Sequence, residues 1–276
     1  MAGSALRSGI PTVVWNRDPG VAHRLADQGA DVAASAADAV EGTTMVITMV
    51  TDTQAVTSIA VDLGMLEALP AGAVWAQMST IGVEGTATIS SIVERRRPDV
   101  LFLDAPVSGS KVPAEQGKLI IFASGSEQAR PTAEPVFAAI GQRTVWLGQV
   151  GMGSRMKLVN NTLLAFAAEG VANSIALARK LGLEVRSVLD AFEGGPLVSP
   201  WMAGKLPRIQ DDDYSPEFPL ALALKDVHLA LEQADPPRFA VLAALAREWE
   251  EIEQQGLGDL DVTVVTRSLE RTSKLL

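Results

Sequence analysis

The chain contains no cysteine among its 276 residues. This absence excludes disulfides, thiolate nucleophiles and every zinc or iron–sulfur site that needs thiolate ligands, and it gives no sign of an oxidising compartment. Histidine is almost as scarce, since His23 and His228 are the only two and lie far apart in the sequence. Two histidines so far apart are too few for a histidine metal cluster, and we expect no bound metal.

Long apolar runs and an excess of positive charge are missing as well. The stretch MVITMV at 45–50 has the length of a strand and is far too short to span a membrane. The N-terminus lacks the basic and then apolar pattern of a signal peptide. The formal net charge of -10 argues against a general binder of nucleic acid, which needs a basic surface. We expect a cytoplasmic protein that binds neither membrane nor nucleic acid and acts on a small molecule.

The pattern of the sequence changes near residue 150. Before it, short β-rich runs alternate with mixed-polarity segments, and continuous apolar strands of this kind predict a mostly parallel sheet with helices on both faces. The predicted strands lie at 12–15, 45–50, 73–77, 100–107, 118–124 and 144–147, and the predicted helices at 53–69 and 82–97. Residues 1–150 are therefore predicted to form an α/β domain.

After residue 150 the β-rich runs disappear. Apolar residues at helical spacing predict one long helix over 154–181, ended by Gly182. We interpret 151–182 as an interdomain helix and 183–276 as a helical domain for substrate binding and dimerisation. The long helix carries more apolar surface than this domain can cover, which favours a homodimer.

Two turns in the first half are candidate binding sites. Asn16 and Arg17 follow the strand at 12–15, where a neutral residue beside an Arg admits the 2′-phosphate of NADP, whereas a carboxylate favours NAD. A solvated turn is the alternative. In DAPVSGS (104–110), the turn leaves backbone N–H groups that can cradle a carboxylate, although this segment is also compatible with an ordinary turn.

Two segments of the second half carry further polar residues. The glycines of GQVGMGSRMKLVNN (148–161) follow the sheet domain and precede no β-α-β unit, so we reject a dinucleotide fingerprint there. Lys157 and Asn161 are four residues apart on one helix face, and Lys157 is the best proton-transfer candidate in a chain without a usable histidine base. In LALKDVHLA (222–230), Lys225 and Asp226 are predicted to form a surface pair on an amphipathic helix.

In combination, these segments resemble the β-hydroxyacid dehydrogenase family, which includes 3-hydroxyisobutyrate dehydrogenase and is related to 6-phosphogluconate dehydrogenase. The resemblance covers essentially the whole chain. Its motifs are WNRDP, MVT with AV (49–56), MSTI (78–81), DAPVSGS, the G-x-G-x-x-x-K-x-x-N-N pattern (151–161) and KDVHLA (225–230). It implies a Rossmann-type α/β domain, an all-helical C-terminal domain that commonly dimerises, and hydride transfer between a hydroxy acid and NAD or NADP.

The resemblance also implies roles for particular residues. Lys157 matches the catalytic lysine and Asn161 its orienting partner. The substrate-anchoring loop matches Ser108, Gly109 and Ser110. The implied cofactor contacts are Asn16, Arg17, Val50, Thr51, Thr80 and Lys225.

Three departures from the family pattern accompany these matches. Ser110 replaces the usual second glycine of the substrate loop, and Val50-Thr51 replaces the usual Leu-Pro. Met1 matches a residue inside the first helix, so the first strand and its glycine-rich phosphate loop, roughly a dozen residues, have no counterpart in this sequence. We expect the two strands that would flank that first strand to have unpaired edges.

The sequence thus predicts an NADP-dependent oxidoreductase, with NAD the less favoured cofactor, acting on a small β-hydroxy acid or its carbonyl partner. Two alternatives stay open. One is an imine reductase-like enzyme, although that branch tends to replace the lysine that this chain keeps. The other is a non-catalytic dimeric scaffold that has lost the phosphate-binding loop.

Overall fold

The computed structural model describes residues 1–235 and 237–271. They divide into two compact units, Met1–Lys157 and Leu158–Leu276, and the division falls inside one long helix, α8 (Met152–Lys180). Among the described residues, no helix combines the length and apolar character needed to cross a bilayer.

The first unit is an α/β domain. Its strands are β1 (Val13–Val14), β2 (Asp31–Val32), β3 (Met45–Thr48), β4 (Val74–Gln77), β5 (Leu101–Asp104), β6 (Val107–Ser108), β7 (Leu119–Gly125) and β8 (Gly141–Trp146). Its helices before α8 are α1 (Ala2–Arg7), α2 (Pro19–Ala26), α3 (Thr53–Thr57), α4 (Met65–Ala68), α5 (Gly82–Arg96), α6 (Lys111–Glu115) and α7 (Arg130–Ile140). The Rossmann-type α/β architecture predicted from the sequence is confirmed.

The strands form two sheets. β3, β4 and β5 are parallel neighbours, and β7 joins them antiparallel to β5 and β6 and parallel to β8. β1 and β2 form a separate parallel pair. Within the described residues, β1 therefore has only β2 and β3 only β4 as strand partners, so each has the unpaired edge that the resemblance leads us to expect.

Two apolar cores cover the faces of the larger sheet. One packs α7 and α1 against the strands and includes Leu103, Ile121 and Phe137. The other packs α5 and the 53–69 segment against them and contains Trp75 and Ile89. The indole of Trp75 donates to Thr48 Oγ1 at 3.0 Å, so its buried N–H is satisfied. Two-sided burial explains why these strands are continuous apolar runs.

The second unit is helical. Besides the body of α8 it contains α9 (Val185–Phe192), α10 (Pro200–Gln210), α11 (Leu220–Leu231), α12 (Ala240–Ile252) and α13 (Val265–Arg271). Its core is built around Trp249, Ile175 and Ile209, all fully buried. Lys205 and Asp261 form a buried ion pair at 2.8 Å that links α10 to the segment before α13.

Helix α8 ends as the sequence predicts. Gly182 has φ +74°, the N–H of Gly182 donates to the carbonyl oxygen of Arg179, and that of Leu183 to the carbonyl oxygen of Ala178. These two bonds form a Schellman motif, which satisfies carbonyl groups at the helix end and needs a residue that tolerates positive φ.

Candidate active site

Strand β1 ends at the turn that carries Asn16 and Arg17. The side-chain Oδ1 of Asn16 accepts from the N–H of Asp18 at 2.9 Å, and Asp18 Oδ1 accepts from the N–H of Gly20 at 2.9 Å, which starts α2. The local fold therefore fixes the turn through its own side chains. Arg17 is exposed in this turn, where a guanidinium can reach an anion.

The predicted cofactor residues Val50, Thr51 and Thr80 follow the carboxyl ends of the parallel strands β3 and β4. The N–H of Val50 donates to Ser79 Oγ at 2.8 Å. Ser79 is fully buried and is itself held by Gln77, whose amide accepts from the N–H of Ser79 at 2.6 Å and donates to its carbonyl oxygen at 2.9 Å. This buried network ties the two loops together at the sheet edge where α/β proteins bind nucleotides. No sequence motif singled out Gln77.

The predicted substrate loop of Ser108, Gly109 and Ser110 links β6 to α6. Gly109 has φ +126°, and a Cβ there would lie 2.8 Å from Leu119 Cδ2 and 3.1 Å from Pro113 Cβ. Only glycine fits this turn. Ser108 pairs with Ile120 of β7, so the start of the loop is fixed by the sheet.

Lys157 contacts the strand that leads into this loop. Its Nζ donates to the carbonyl oxygen of Val107 at 2.7 Å, and the side chain is partly buried. Because Ser108 is the next residue, the ammonium lies next to the segment that the resemblance assigns to the substrate. The structure thus brings the lysine predicted to transfer the proton and the predicted substrate loop together within the first unit.

The start of α8 rests on a buried carboxylate to which no sequence pattern assigned a role. Asp104 is fully buried at the end of β5, and its carboxylate accepts from the N–H and the hydroxyl of Ser154 at 2.8 and 2.7 Å. Burial raises the pKa of Asp104, whereas the hydrogen bonds from Ser154 and Ser124 lower it. Its partner lies fifty residues further along the chain, a relation that no sequence pattern displays.

Asn161 and Lys225 lie in the second unit and meet at Asp226. The amide of Asn161 donates to Asp226 Oδ2 in a short hydrogen bond. Lys225 Nζ lies 2.7 Å from Asp226 Oδ1 as an ion pair without hydrogen-bond geometry. Asp226 is only 4% exposed, so the expectation of a surface Lys-Asp pair is wrong for the aspartate. The spacing of apolar residues along α11 did not show that Asp226 is buried.

Comparison with known proteins decides what this arrangement belongs to. Residues 1–148 match the family described as the NAD binding domain of 6-phosphogluconate dehydrogenase, and residues 151–269 match that described as NAD-binding of NADP-dependent 3-hydroxyisobutyrate dehydrogenase. The chain belongs to the β-hydroxyacid dehydrogenase family. The resemblance inferred from the sequence motifs is confirmed.

Individual relatives agree with the family match. The chain is 34% identical over 272 residues to glyoxylate/succinic semialdehyde reductase 1 of Arabidopsis thaliana, covering 98% of this chain and 93% of that protein. It is similar to a 3-hydroxyisobutyrate dehydrogenase structure from Salmonella typhimurium, with TM-score 0.88, 26% identity, and 96% and 94% of the two chains covered. An imine reductase structure from Pseudomonas sp. shares the fold, with TM-score 0.60, 21% identity and coverage of 97% and 94%. Membership makes the chain an NAD(P)-dependent oxidoreductase with a nicotinamide cofactor and a small-molecule substrate.

Proposed function

We propose that the chain uses NADP to reduce the carbonyl of a small acid, or to oxidise the matching β-hydroxy acid, with Lys157 as the proton donor and acceptor. The observation that carries the proposal is the 2.7 Å hydrogen bond from Lys157 Nζ to the carbonyl oxygen of Val107, beside Ser108. This hydrogen bond supports the proposal because the backbone of β6 holds the Lys157 ammonium next to the predicted substrate loop.

Hydride transfer to a carbonyl builds negative charge on the carbonyl oxygen, so the reaction needs a proton donor beside that oxygen. A reduced nicotinamide supplies the hydride when it is bound. Lys157 then gives its proton to the oxygen that becomes the hydroxyl, and it takes the proton back when the reaction runs towards the carbonyl. Asn161 follows one turn later on the same helix, and its bond to Asp226 holds its amide in one orientation.

The cofactor proposal rests on the ends of three strands. Asn16 and Arg17 follow β1, Val50 and Thr51 follow β3, and Thr80 follows β4. Arg17 supplies an exposed cation beside the neutral Asn16, which suits the 2′-phosphate of NADP better than the 2′-hydroxyl of NAD. Lys225 on α11 is the proposed contact from the helical unit.

The substrate loop suits a carboxylate. Ser108 and Ser110 offer hydroxyls on either side of Gly109, and the turn at Gly109 directs backbone N–H groups that can cradle an anion. The Arabidopsis relative is named for glyoxylate and succinic semialdehyde, so both are proposed test substrates together with 3-hydroxyisobutyrate.

The test is a substrate panel with purified protein, following NADPH or NADH by absorbance. The proposal predicts turnover of at least one aldehyde acid or hydroxy acid, with NADPH preferred. Turnover of cyclic imines without turnover of any acid would favour the imine alternative. Failure to bind NADPH and to turn over any substrate would favour the non-catalytic scaffold.

We also propose that the chain forms a homodimer through α8. Val159, Leu163 and Phe166 lie on one side of this helix, at spacings of four and three residues, and the first two are 67% and 72% exposed. A row of exposed apolar side chains on a long helix is typical of an interface, and symmetric self-association is the commonest way to cover it.

A further inference from the structure

We infer that Asp104 is the positioning residue for Lys157: it fixes the first turn of α8 to the end of β5, and the helix in turn sets where the ammonium lies. The inference rests on the proposed role of Lys157. Asp104 opens the DAPVSGS segment, but the role implied for that segment lies at its other end, at 108–110.

Both oxygens of the Asp104 carboxylate are used to hold the helix start. Oδ2 accepts from the backbone N–H of Ser154 at 2.8 Å and from Ser124 Oγ at 3.2 Å, and Oδ1 accepts from Ser154 Oγ at 2.7 Å. Thr86 Oγ1 lies 2.7 Å from Ser154 Oγ and completes the network. These four side chains are buried, so the network is held without competition from solvent. A carboxylate at this position also complements the positive end of the helix dipole.

Gly153 shows how closely α8 is seated on the sheet. A Cβ at this position would lie 2.3 Å from the carbonyl oxygen of Phe122 and 2.7 Å from that of Asp104. The N–H of Gly153 donates to Ser124 Oγ at 2.9 Å. The first turn of the helix is therefore pressed against β5 and β7, with no space to move towards the strands.

The same framework fixes the partner of Lys157. Lys157 lies three residues after Ser154, one turn along α8, and its Nζ donates to the carbonyl oxygen of Val107, three residues after Asp104. Asp104 pairs with Ser124 of β7, and Val107 pairs with Ile121 of the same strand. Strand β7 therefore holds in position both the first turn of α8 and the Val107 carbonyl oxygen that accepts from the Lys157 ammonium. If the hydrogen bonds between Asp104 and Ser154 were weakened, the Lys157 side chain would shift relative to the Val107 carbonyl oxygen.

A stabilising role without positioning makes a different prediction. If Asp104 only stabilises the domain, any variant with the same loss of melting temperature would have the same effect on turnover. Asp104→Asn keeps the shape but directs an amide N–H₂ at the donors of Ser154, and Ser154→Ala removes one of those donors. Val93→Ala truncates a buried side chain of α5 outside this network and serves as a destabilised control, whose melting temperature is measured beside those of the other variants.

The test compares these three variants with the wild-type chain in two ways. The first is steady-state kinetics across pH on the best substrate. We expect kcat to fall about 10- to 100-fold in Asp104→Asn and Ser154→Ala with KM nearly unchanged and the pH profile displaced, because the proton donor is misplaced rather than lost. Val93→Ala should keep the wild-type kcat and pH profile.

The second measurement does not depend on activity. The rate at which acetic anhydride modifies Lys157 is followed by mass spectrometry and normalised to the exposed Lys118. We expect this ratio to rise in Asp104→Asn and Ser154→Ala and to stay constant in Val93→Ala. If folded Asp104→Asn and Ser154→Ala kept the wild-type ratio, or if Val93→Ala changed kcat as much as they do, the inference would be wrong. Full activity of Lys157→Met would instead overturn the proposed function and leave the acetylation result to decide the positioning role.

Discussion

Arg17 is the residue on which the choice between NADP and NAD depends. It is exposed beside Asn16 at the end of β1. We expect Arg17→Ala to weaken NADPH binding by about 10- to 150-fold, equivalent to about 1.5–3 kcal/mol, because a charge-assisted contact to the 2′-phosphate is lost. Fluorescence titration with NADPH and NADH measures the effect, and NADH affinity should hardly change. Arg24→Ala, in the exposed part of α2, is the control. Equal affinity of the wild-type chain for the two cofactors would contradict the assignment.

Gly153 and Gly170 allow the packing of the first turn of α8 to be compared with that of an exposed position in the middle of the helix. Gly153→Ala should destabilise the chain by about 3 kcal/mol or more, since its Cβ would clash with two backbone carbonyl oxygens. Gly170 is exposed, and the nearest atom to a Cβ there is 4.0 Å away, so Gly170→Ala should stabilise the helix by about 0.5–1 kcal/mol. Denaturant unfolding compares the two. Similar effects in both variants would refute the close seating of the helix start.

The contacts of Asp104 and Asp226 could not be predicted from the sequence. Lys157, Asn161 and the loop at 108–110 could be singled out because their spacing and motifs are local. Asp104 and Asp226 act on partners 50 and 65 residues away, Ser154 and Asn161, so their burial became visible only when the fold brought the segments together.

We expect the packing of α8 against α12 to depend on pH through Glu169. Its carboxylate accepts from the indole N–H of Trp249, and burial, opposed by that hydrogen bond and reinforced by the charge of Glu248, raises its pKa. A raised pKa in the folded state means that folding favours the protonated acid. The stabilising contribution is therefore complete below the unfolded pKa and is lost as the pH rises through the folded pKa.

Glu169→Gln keeps an acceptor for Trp249 but cannot ionise. We expect the free energy of unfolding of Glu169→Gln, minus that of the wild-type chain, to be more positive at pH 7 than at pH 4, so that the variant gains relative stability as the pH rises. Urea unfolding at several pH values measures this difference. Glu232→Gln, at the exposed end of α11, should show no such trend. A relative stability of Glu169→Gln that is the same at both pH values would contradict the assignment.

Most strands and helices could be predicted from the pattern of apolar residues in the sequence. The apolar runs at 45–50 and 73–77 contain β3 and β4, and α8 begins two residues before its predicted start. The direction of β7 was not readable. Residues 109–118 join β6 to β7, and a connection of this length with one short helix cannot make a parallel crossover, so β7 returns antiparallel. The stretch at 53–69 is interrupted by a π-helical turn at Ser58–Asp62, which periodicity alone did not show.

At the scale of the whole molecule, the exposed row on α8 predicts the assembly. We expect light scattering to give a dimer at micromolar concentration. Leu163→Glu should shift the mass towards the monomer, because a charge in an apolar interface lacks a partner. Gln210→Glu adds the same charge at an exposed polar position of α10 and should leave the dimer intact. A monomeric wild-type chain would contradict the interface.

The central claim is that Lys157 moves the proton. Lys157→Met keeps the length of the side chain and removes the ammonium, and Lys118→Met makes the same change at an exposed position of the same unit. On the best substrate of the panel, turnover should fall about 10²–10⁴-fold in Lys157→Met, while NADPH binding persists and Lys118→Met behaves as wild type. Near-full turnover by Lys157→Met would show that another group donates the proton and that the proposed mechanism is wrong.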